Sequence, residues 1–367
     1  MNDIFETYEL KHGATMQSRI ALAPMTTYSS NPDLTLSDEE ETYYNARAKE
    51  FGMVITAATA VSKNAQAFDN QISIRDERYL ESMRRLATAI NKEGSRSVLQ
   101  IHHGGRMNKP GLYPNQDIVS ASAVKAERPY AQTPRKLRTS EIYDIIDDFA
   151  NATRLAILAG FDGVELHGAN TYLIQQFFSP HSNRRDDEFG GSVERRLKFP
   201  LTLVDRVLAV KKQYGKDDFI VGYRLSPEEL EEPGITLADT MILVDHLAAR
   251  DLDYIHLSQG NFRNRSLRDK TDTEPIITKV KRVVGDRTAI IGAGGIDSLD
   301  DIEEALALGY DLVALGTIAL SDAKIVTHLK EGVTPSRVFD ETSLLPSPLF
   351  ERLKSWRGLS DKGYSFK

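Results

Sequence analysis

Eight short apolar runs recur along this chain, each followed by a longer segment of helical period, and that alternation decides what the chain can fold into. The runs are Ile20 to Pro24, Met53 to Thr59, Ser97 to His102, Gly163 to His167, Phe219 to Leu225, Tyr254 to Ser258, Ala289 to Gly292 and Asp311 to Gly316. Runs rich in Val, Ile and Leu read as strands buried on both faces. Between them, Glu141 to Ala159 sets Ile142, Ile145, Ile146, Phe149 and Thr153 on one helical face and Asp144, Asp147 and Asp148 on the other, with Gly160 as the stop. Asp239 to Ala249 and Asp300 to Leu308 follow the same rule, and Gly309 ends the second of them. Strands alternating with helices make a parallel sheet. Eight such units favour an α/β fold of the (β/α)8 TIM barrel kind over an open doubly wound sheet.

The 367 residues fit one barrel domain over 1–367, with a C-terminal tail from about 335 to 367. One connection is long: the polar, proline-bearing stretch His103 to Ser140 after the third run, which forms either a lid or rim or a plain surface excursion. There is no cysteine, which excludes disulfides, cysteine-ligated zinc, iron–sulfur clusters and a thiol nucleophile. No metal ligand set is expected. The formal charge of -7 argues against nucleic acid and anionic membranes as partners. Apolar runs such as Met53 to Val61 are too short to span a bilayer, and Met1 to Leu10 lacks a basic-then-apolar leader, so a cytoplasmic location is expected.

In a barrel the chemistry sits on the loops that follow the strands. The fourth run ends in Val164-Glu165-Leu166-His167-Gly168-Ala169-Asn170-Thr171-Tyr172. His167 and Asn170 are donors that could together hold a carbonyl oxygen and stabilise an enolate-like transition state. Tyr172 carries a weakly acidic proton for carbon. A lone histidine at a strand end is ordinarily a satisfied core residue; three such residues together shift the reading towards function. The charged stretch from Phe177 to Arg196 would ordinarily be a solvated face, and chemistry alone assigns it no role. After the seventh and eighth runs stand Ile291-Gly292-Ala293-Gly294-Gly295-Ile296 and Leu315-Gly316-Thr317-Ile318. Loops in those places often bind phosphate through backbone N–H groups, although a glycine cluster by itself is more often a turn.

The block from His167 to Arg196 resembles the signature of the Old Yellow Enzyme family of FMN-dependent ene-reductases. Ala23-Pro24-Met25-Thr26 with Tyr28-Ser29-Ser30, and Gln100-Ile101-His102-His103-Gly104-Gly105-Arg106, agree with it, and the resemblance runs in order from about Ile4 to Ile318. It implies tightly bound FMN, NADH or NADPH as hydride donor, and an NAD(P)H-dependent flavin oxidoreductase. Such an enzyme passes hydride, in a ping-pong cycle, to the activated C=C bond of an α,β-unsaturated carbonyl or nitro compound.

The same resemblance implies roles. Tyr172 would be the acid; His167 and Asn170, with Tyr28, would bind the substrate. The flavin ring would face the backbone at Pro24, Met25 and Thr26 and at Ala58 to Ala60, with Thr26 tuning its potential. Gln100 would meet the pyrimidine edge. Arg224 would favour the anionic reduced flavin, the alternative being a barrel-rim salt bridge. Gly294, Gly295, Gly316 and Thr317 would hold the phosphate. Here the chain departs from the family, which commonly has arginine directly after that last glycine; Thr317 supplies a hydroxyl without the charge.

Arg357, in Ser355-Trp356-Arg357-Gly358, faintly resembles an element that in one branch reaches a neighbouring subunit, and a surface tail is the plainer reading. The basic run Arg263, Arg265, Arg268 and Lys270 could meet a nicotinamide phosphate or be merely solvated. Barrels of this kind often pair, which leaves a homo-oligomer open. Two other functions stay open: a flavin barrel that oxidises its substrate, and a non-enzymatic flavin-binding sensor. Family members with an iron–sulfur cluster and a second nucleotide domain are not expected, for want of cysteines and length.

Overall fold

The eight apolar runs become the eight strands of a closed parallel barrel. A computed structural model of the chain describes residues 4–112, 115–356 and 358–367. The strands are β1 (Ile20–Leu22), β2 (Met53–Ile55), β3 (Arg96–His102), β4 (Gly163–Gly168), β5 (Ile220–Leu225), β6 (Tyr254–Leu257), β7 (Ala289–Ala293) and β8 (Leu312–Leu315). Each pairs in parallel with its neighbours, and β8 against β1 and β2 against β3 complete the ring. The second run is interrupted: β2 stops at Ile55, and Thr59–Ala60 pairs separately with the top of β3.

Inward and outward positions alternate along each strand. Ala21, Met53, Ile55, Val98, Ile220, Tyr254, Ile291, Ala293, Leu312 and Ala314 form one apolar cluster, and Leu10, Ala14 and Met16 of the N-terminal hairpin pack into it. The hairpin thus closes the barrel at the end where the strands begin. Outward residues pack against the helices in a second, larger core. The helix Thr139–Ala159 buries Ile142, Ile145, Ile146, Phe149 and Thr153, and Gly160 ends it at φ 89°. Thr236 and Ser298 cap the helices Leu237–Ala248 and Leu299–Leu308 by accepting backbone N–H bonds.

The charged stretch after β4 is only partly a solvated face: Arg184, Asp186, Glu188, Glu194 and Arg195 are exposed, while Asn183, Arg185 and Arg196 are buried and brace the loop. Arg185 Nη1 donates to the carbonyls of Ala121 and Leu137, at 2.9 and 2.7 Å, and so pins the long excursion after β3. Asn183 Nδ2 donates to Phe177 O and Phe189 O, and Arg196 Nε to Phe178 O. Irregular backbone under a loop has carbonyls that helices and sheets do not pair, and these side chains satisfy them. Beyond β8 the chain folds back: Val338–Phe339 pairs with Ser365–Phe366, and Leu349 and Leu353 of the helix Ser347–Lys354 are buried. No helix among the described residues is long and apolar enough to cross a membrane.

Candidate active site

Inside the barrel the inward positions turn polar towards the C-terminal ends of the strands. Gln100 and Glu165 stand opposite each other on β3 and β4, and Arg224 on β5 lies in register with His167 on β4 and His256 on β6. Gly222 makes room for this layer, since a Cβ there would lie 2.1 Å from the ring of Tyr254. Glu165 is fully buried and accepts from Gln100 Nε2 at 2.7 Å, while its other oxygen lies 2.8 Å from His256 Nδ1. Burial opposes ionisation of Glu165, but His256, Arg224 and Gln100 outweigh it and hold its carboxyl below the ordinary range. Burial lowers the pKa of His256, so the pair is a carboxylate accepting from a neutral imidazole. With its N–H group turned to Glu165, Gln100 keeps its carbonyl oxygen for another donor.

A cavity of about 110 Å³ opens above this layer, lined by Pro24, Thr26, Ala58, Phe68, Gln100, His167, Asn170, Tyr172 and Arg224. His167 is buried, and among the described residues its Nδ1 has no hydrogen-bond partner; the Nε atom of Arg224 is likewise buried and unpartnered there. Burial, with His102 and Arg224 adding to it, drives the His167 pKa well below its ordinary value, so the ring is neutral. Among the described residues Arg224 forms no ion pair, contrary to the salt-bridge alternative; burial lowers its pKa, and Glu165 is the charge that supports it against that desolvation.

Asn170 and Thr171 both adopt positive φ, at 56° and 65°, a conformation uncommon outside glycine and often found at functional sites. Ser258 and Ser226 hold Asn170 there, the first by its amide at 3.2 Å and the second by its backbone N–H at 3.0 Å. The Tyr172 ring lies edge-on to His102, with centroids 4.4 Å apart, and Phe68 packs against both Tyr172 and Tyr28. Burial raises the Tyr172 pKa, with Tyr28 adding to it, so the hydroxyl keeps its proton at neutral pH.

A larger cavity of about 1010 Å³ shares Pro24, Thr26 and Arg224 with the first and runs on past Met25 and Tyr28 to Gly294, Gly295, Gly316 and Thr317. Gly294 has φ 106°, and a Cβ there would lie 2.2 Å from Gln259 O. The C-terminal segment forms the far wall through Arg337, Arg352, Trp356, Lys362 and Tyr364. Arg352 lies over the Tyr28 ring, 3.9 Å from its centroid.

Of the residues given a catalytic, substrate or flavin role from the sequence, all but Ala60 line one cavity or the other. Ala60 lies apart from both; its N–H and C=O are taken by Ile72 and Ile74, and Ser73 also bonds its carbonyl. Arg357 lies outside the described residues, while Ser355 and Trp356 beside it line the large cavity. Two members of the basic run after β6 are committed elsewhere: Arg263 pairs with Asp301 and Glu304, and Arg268 with Glu232. Sequence reasoning missed Phe68, a lone aromatic in a polar loop with no signal, and the cations of the C-terminal segment. It also gave no role to Glu165 and His256, whose signal was present: charged or polar residues at the middle of apolar strands.

Residues 3–335 match the model of the NADH:flavin oxidoreductase / NADH oxidase family. The chain is 42% identical over 361 residues to a protein of Bacillus subtilis named probable NADH-dependent flavin oxidoreductase YqiG, covering 97% of this chain and 96% of that one. It is 40% identical to the NADH:acrylate oxidoreductase of Vibrio harveyi, covering 96% of this chain but 36% of that longer protein. Among solved structures, morphinone reductase superposes with a TM-score of 0.78 at 26% identity, covering 93% of this chain and 92% of that one. An old yellow enzyme homologue from Zymomonas mobilis, 23% identical, covers 95% of this chain and 98% of that one at a TM-score of 0.83 and so shares the fold.

Proposed function

We infer the reaction from one premise: the chain belongs to the NADH:flavin oxidoreductase / NADH oxidase family, which includes the Old Yellow Enzymes, and is an FMN-dependent oxidoreductase that draws hydride from a nicotinamide. The proposed reaction is reduction of an activated C=C bond, conjugated to a carbonyl, carboxyl or nitro group. The observation that carries this reading is one small cavity walled by a neutral, unpartnered imidazole (His167), a fixed amide (Asn170) and a protonated phenol (Tyr172).

The residues present fit FMN. Gln100 would offer its carbonyl oxygen to a ring N–H, Arg224 would bring a positive charge whose Nε is buried without a partner among the described residues, and Gly294 and Gly316 leave backbone open at the other end of the large cavity. The chemistry supplied by bound FMN is storage of a hydride between nicotinamide and alkene. Arg224 favours negative charge on the ring, and the Glu165 carboxylate limits that effect. His167 and Asn170 bind the electron-withdrawing group of the substrate and draw charge from the alkene as its oxygen becomes enolate-like. Tyr172 gives its proton to the α-carbon. The confined space above Gln100 supports a ping-pong order, with nicotinamide and substrate taking turns. Commitment of Arg263 and Arg268 to carboxylates removes two of the four cations that could have met a 2′-phosphate, which favours NADH over NADPH.

The test is an anaerobic panel of cyclohexenone, acrylate, fumarate and a nitroalkene with NADH, read by product mass. Saturated products support the reading. NADH turnover that leaves every alkene unchanged, or oxidation of the saturated partners instead, sinks it.

A further inference from the structure

The phosphate end of the large cavity lacks a cation on the loops that would ordinarily hold a phosphate. Gly294, Gly295, Gly316 and Thr317 contribute no charge, and Asp297, two residues beyond Gly295, adds a negative one to the same wall. A phosphate dianion there meets repulsion unless cations come from elsewhere. Among the described residues, four basic side chains line this cavity: Arg224, Arg337, Arg352 and Lys362. Arg224 belongs to the barrel interior and Arg352 is stacked on Tyr28, beside the hydride end. Arg337 and Lys362 stand with Asp297.

The position of Arg337 is built. Ser321, in the short helix that begins at Thr317, donates to Ser336 O at 2.7 Å, and the Asp322 carboxylate accepts from Ser336 N at 2.9 Å. These bonds fasten the residue before Arg337 to the turn after β8. The guanidinium then reaches Asp297 at 3.3 Å and Lys362 O at 2.7 Å, and lies over the Tyr364 ring at 5.3 Å. Its side chain is 41% exposed, so it has room to reach a ligand while it offsets Asp297.

We propose that Arg337, supported by Lys362, is the phosphate clamp for the flavin, supplied by the fold-back segment in place of an arginine after Gly316. A planar guanidinium suits a phosphate because it donates two parallel N–H bonds. Thr317 would add its hydroxyl, and the glycines their backbone N–H groups.

The full chain, titrated with FMN and with riboflavin and followed by flavin fluorescence, separates the phosphate from the ring. Wild type binds FMN more tightly than riboflavin. Arg337→Ala weakens FMN by roughly 10- to 100-fold and leaves riboflavin unchanged. Arg337→Lys keeps most of the FMN preference, Lys362→Ala loses a smaller part, and Thr317→Arg added to Arg337→Ala restores it. An Arg337→Ala protein that keeps the wild-type preference overturns the assignment. So does one that loses both flavins equally, because Arg337 would then serve only to hold the C-terminal segment.

Discussion

Gln100, Glu165, Arg224 and His256 stand on four neighbouring strands inside the barrel, whereas Gly294, Gly295, Gly316, Thr317 and Arg337 come from loops and from chain beyond the last strand. In the first set Gln100, Glu165 and His256 are buried and joined to one another: each oxygen of Glu165 has one donor. The second has glycine backbone, a hydroxyl and a cation that is 41% exposed. The difference follows from what each end must do. Charge that develops during reaction is best stabilised by dipoles that cannot reorganise, which suits the end proposed for the flavin ring to strands. A phosphate carries its charge throughout, and a side chain of any origin can answer it.

Tyr172→Phe gives the largest effect, confined to the ring end. Reduction of the alkene slows by roughly 10²–10⁴, while bleaching of the flavin by NADH is nearly unchanged in stopped-flow traces. An equal fall in both half-reactions would remove the acid role. Low pH should also act at the ring end. Burial pushes His102 and His103 from 6.5 down to about 3. Between those values the unfolded chain takes up protons that the native state refuses. Stability is therefore full above pH 6.5 and falls as the pH drops towards 3, by about 1.4 kcal/mol per pH unit for each histidine. Urea denaturation at pH 7 and pH 5 measures this, and an unchanged midpoint would refute it.

Two glycines sharpen the comparison within the phosphate end. Gly294→Ala places a Cβ against Gln259 O at positive φ and should destabilise by roughly 1–3 kcal/mol. Gly316→Ala, whose nearest neighbour would be Met25 Sδ at 3.9 Å, should be close to neutral in thermal unfolding. If both cost the same, the cradle at Gly294 is not the constrained one. The smallest effect is electrochemical. Glu165→Gln removes a negative charge beside Gln100 and Arg224, the residues proposed for the flavin ring, and should raise the flavin potential by about 30 mV, equivalent to ~1.4 kcal/mol for two electrons. A fall in the potential would reverse the role given to that carboxylate.

The ring end was legible in the sequence because a polar residue in an apolar strand is conspicuous, and strand order places it. His167 drew notice at its strand end, Gln100 and Arg224 came from the resemblance to the family, and Glu165 and His256 could have been found as polar residues in apolar strands. The eight strands were legible for the same reason, since burial on both faces leaves uninterrupted Val, Ile and Leu. Ala60 was misplaced because the second run breaks after Ile55, which turns the backbone of residues 59–60 to pair with β3 and with residues 72–74. Arg185 and Arg196 looked solvated because no sequence pattern marks a carbonyl that lacks a partner. Arg337 was illegible because what brings it to the site is the fold-back of the C-terminal segment, a contact with no periodicity.

The central claim is that one flavin site accepts hydride from NADH and passes it to an activated alkene. The most direct measurement is the visible spectrum of the purified protein under anaerobic conditions, first with NADH and then with cyclohexenone or acrylate. A yellow absorbance that bleaches with NADH and returns with the alkene is the predicted result. Bleaching that no enone, acrylate, fumarate or nitroalkene reverses would contradict it.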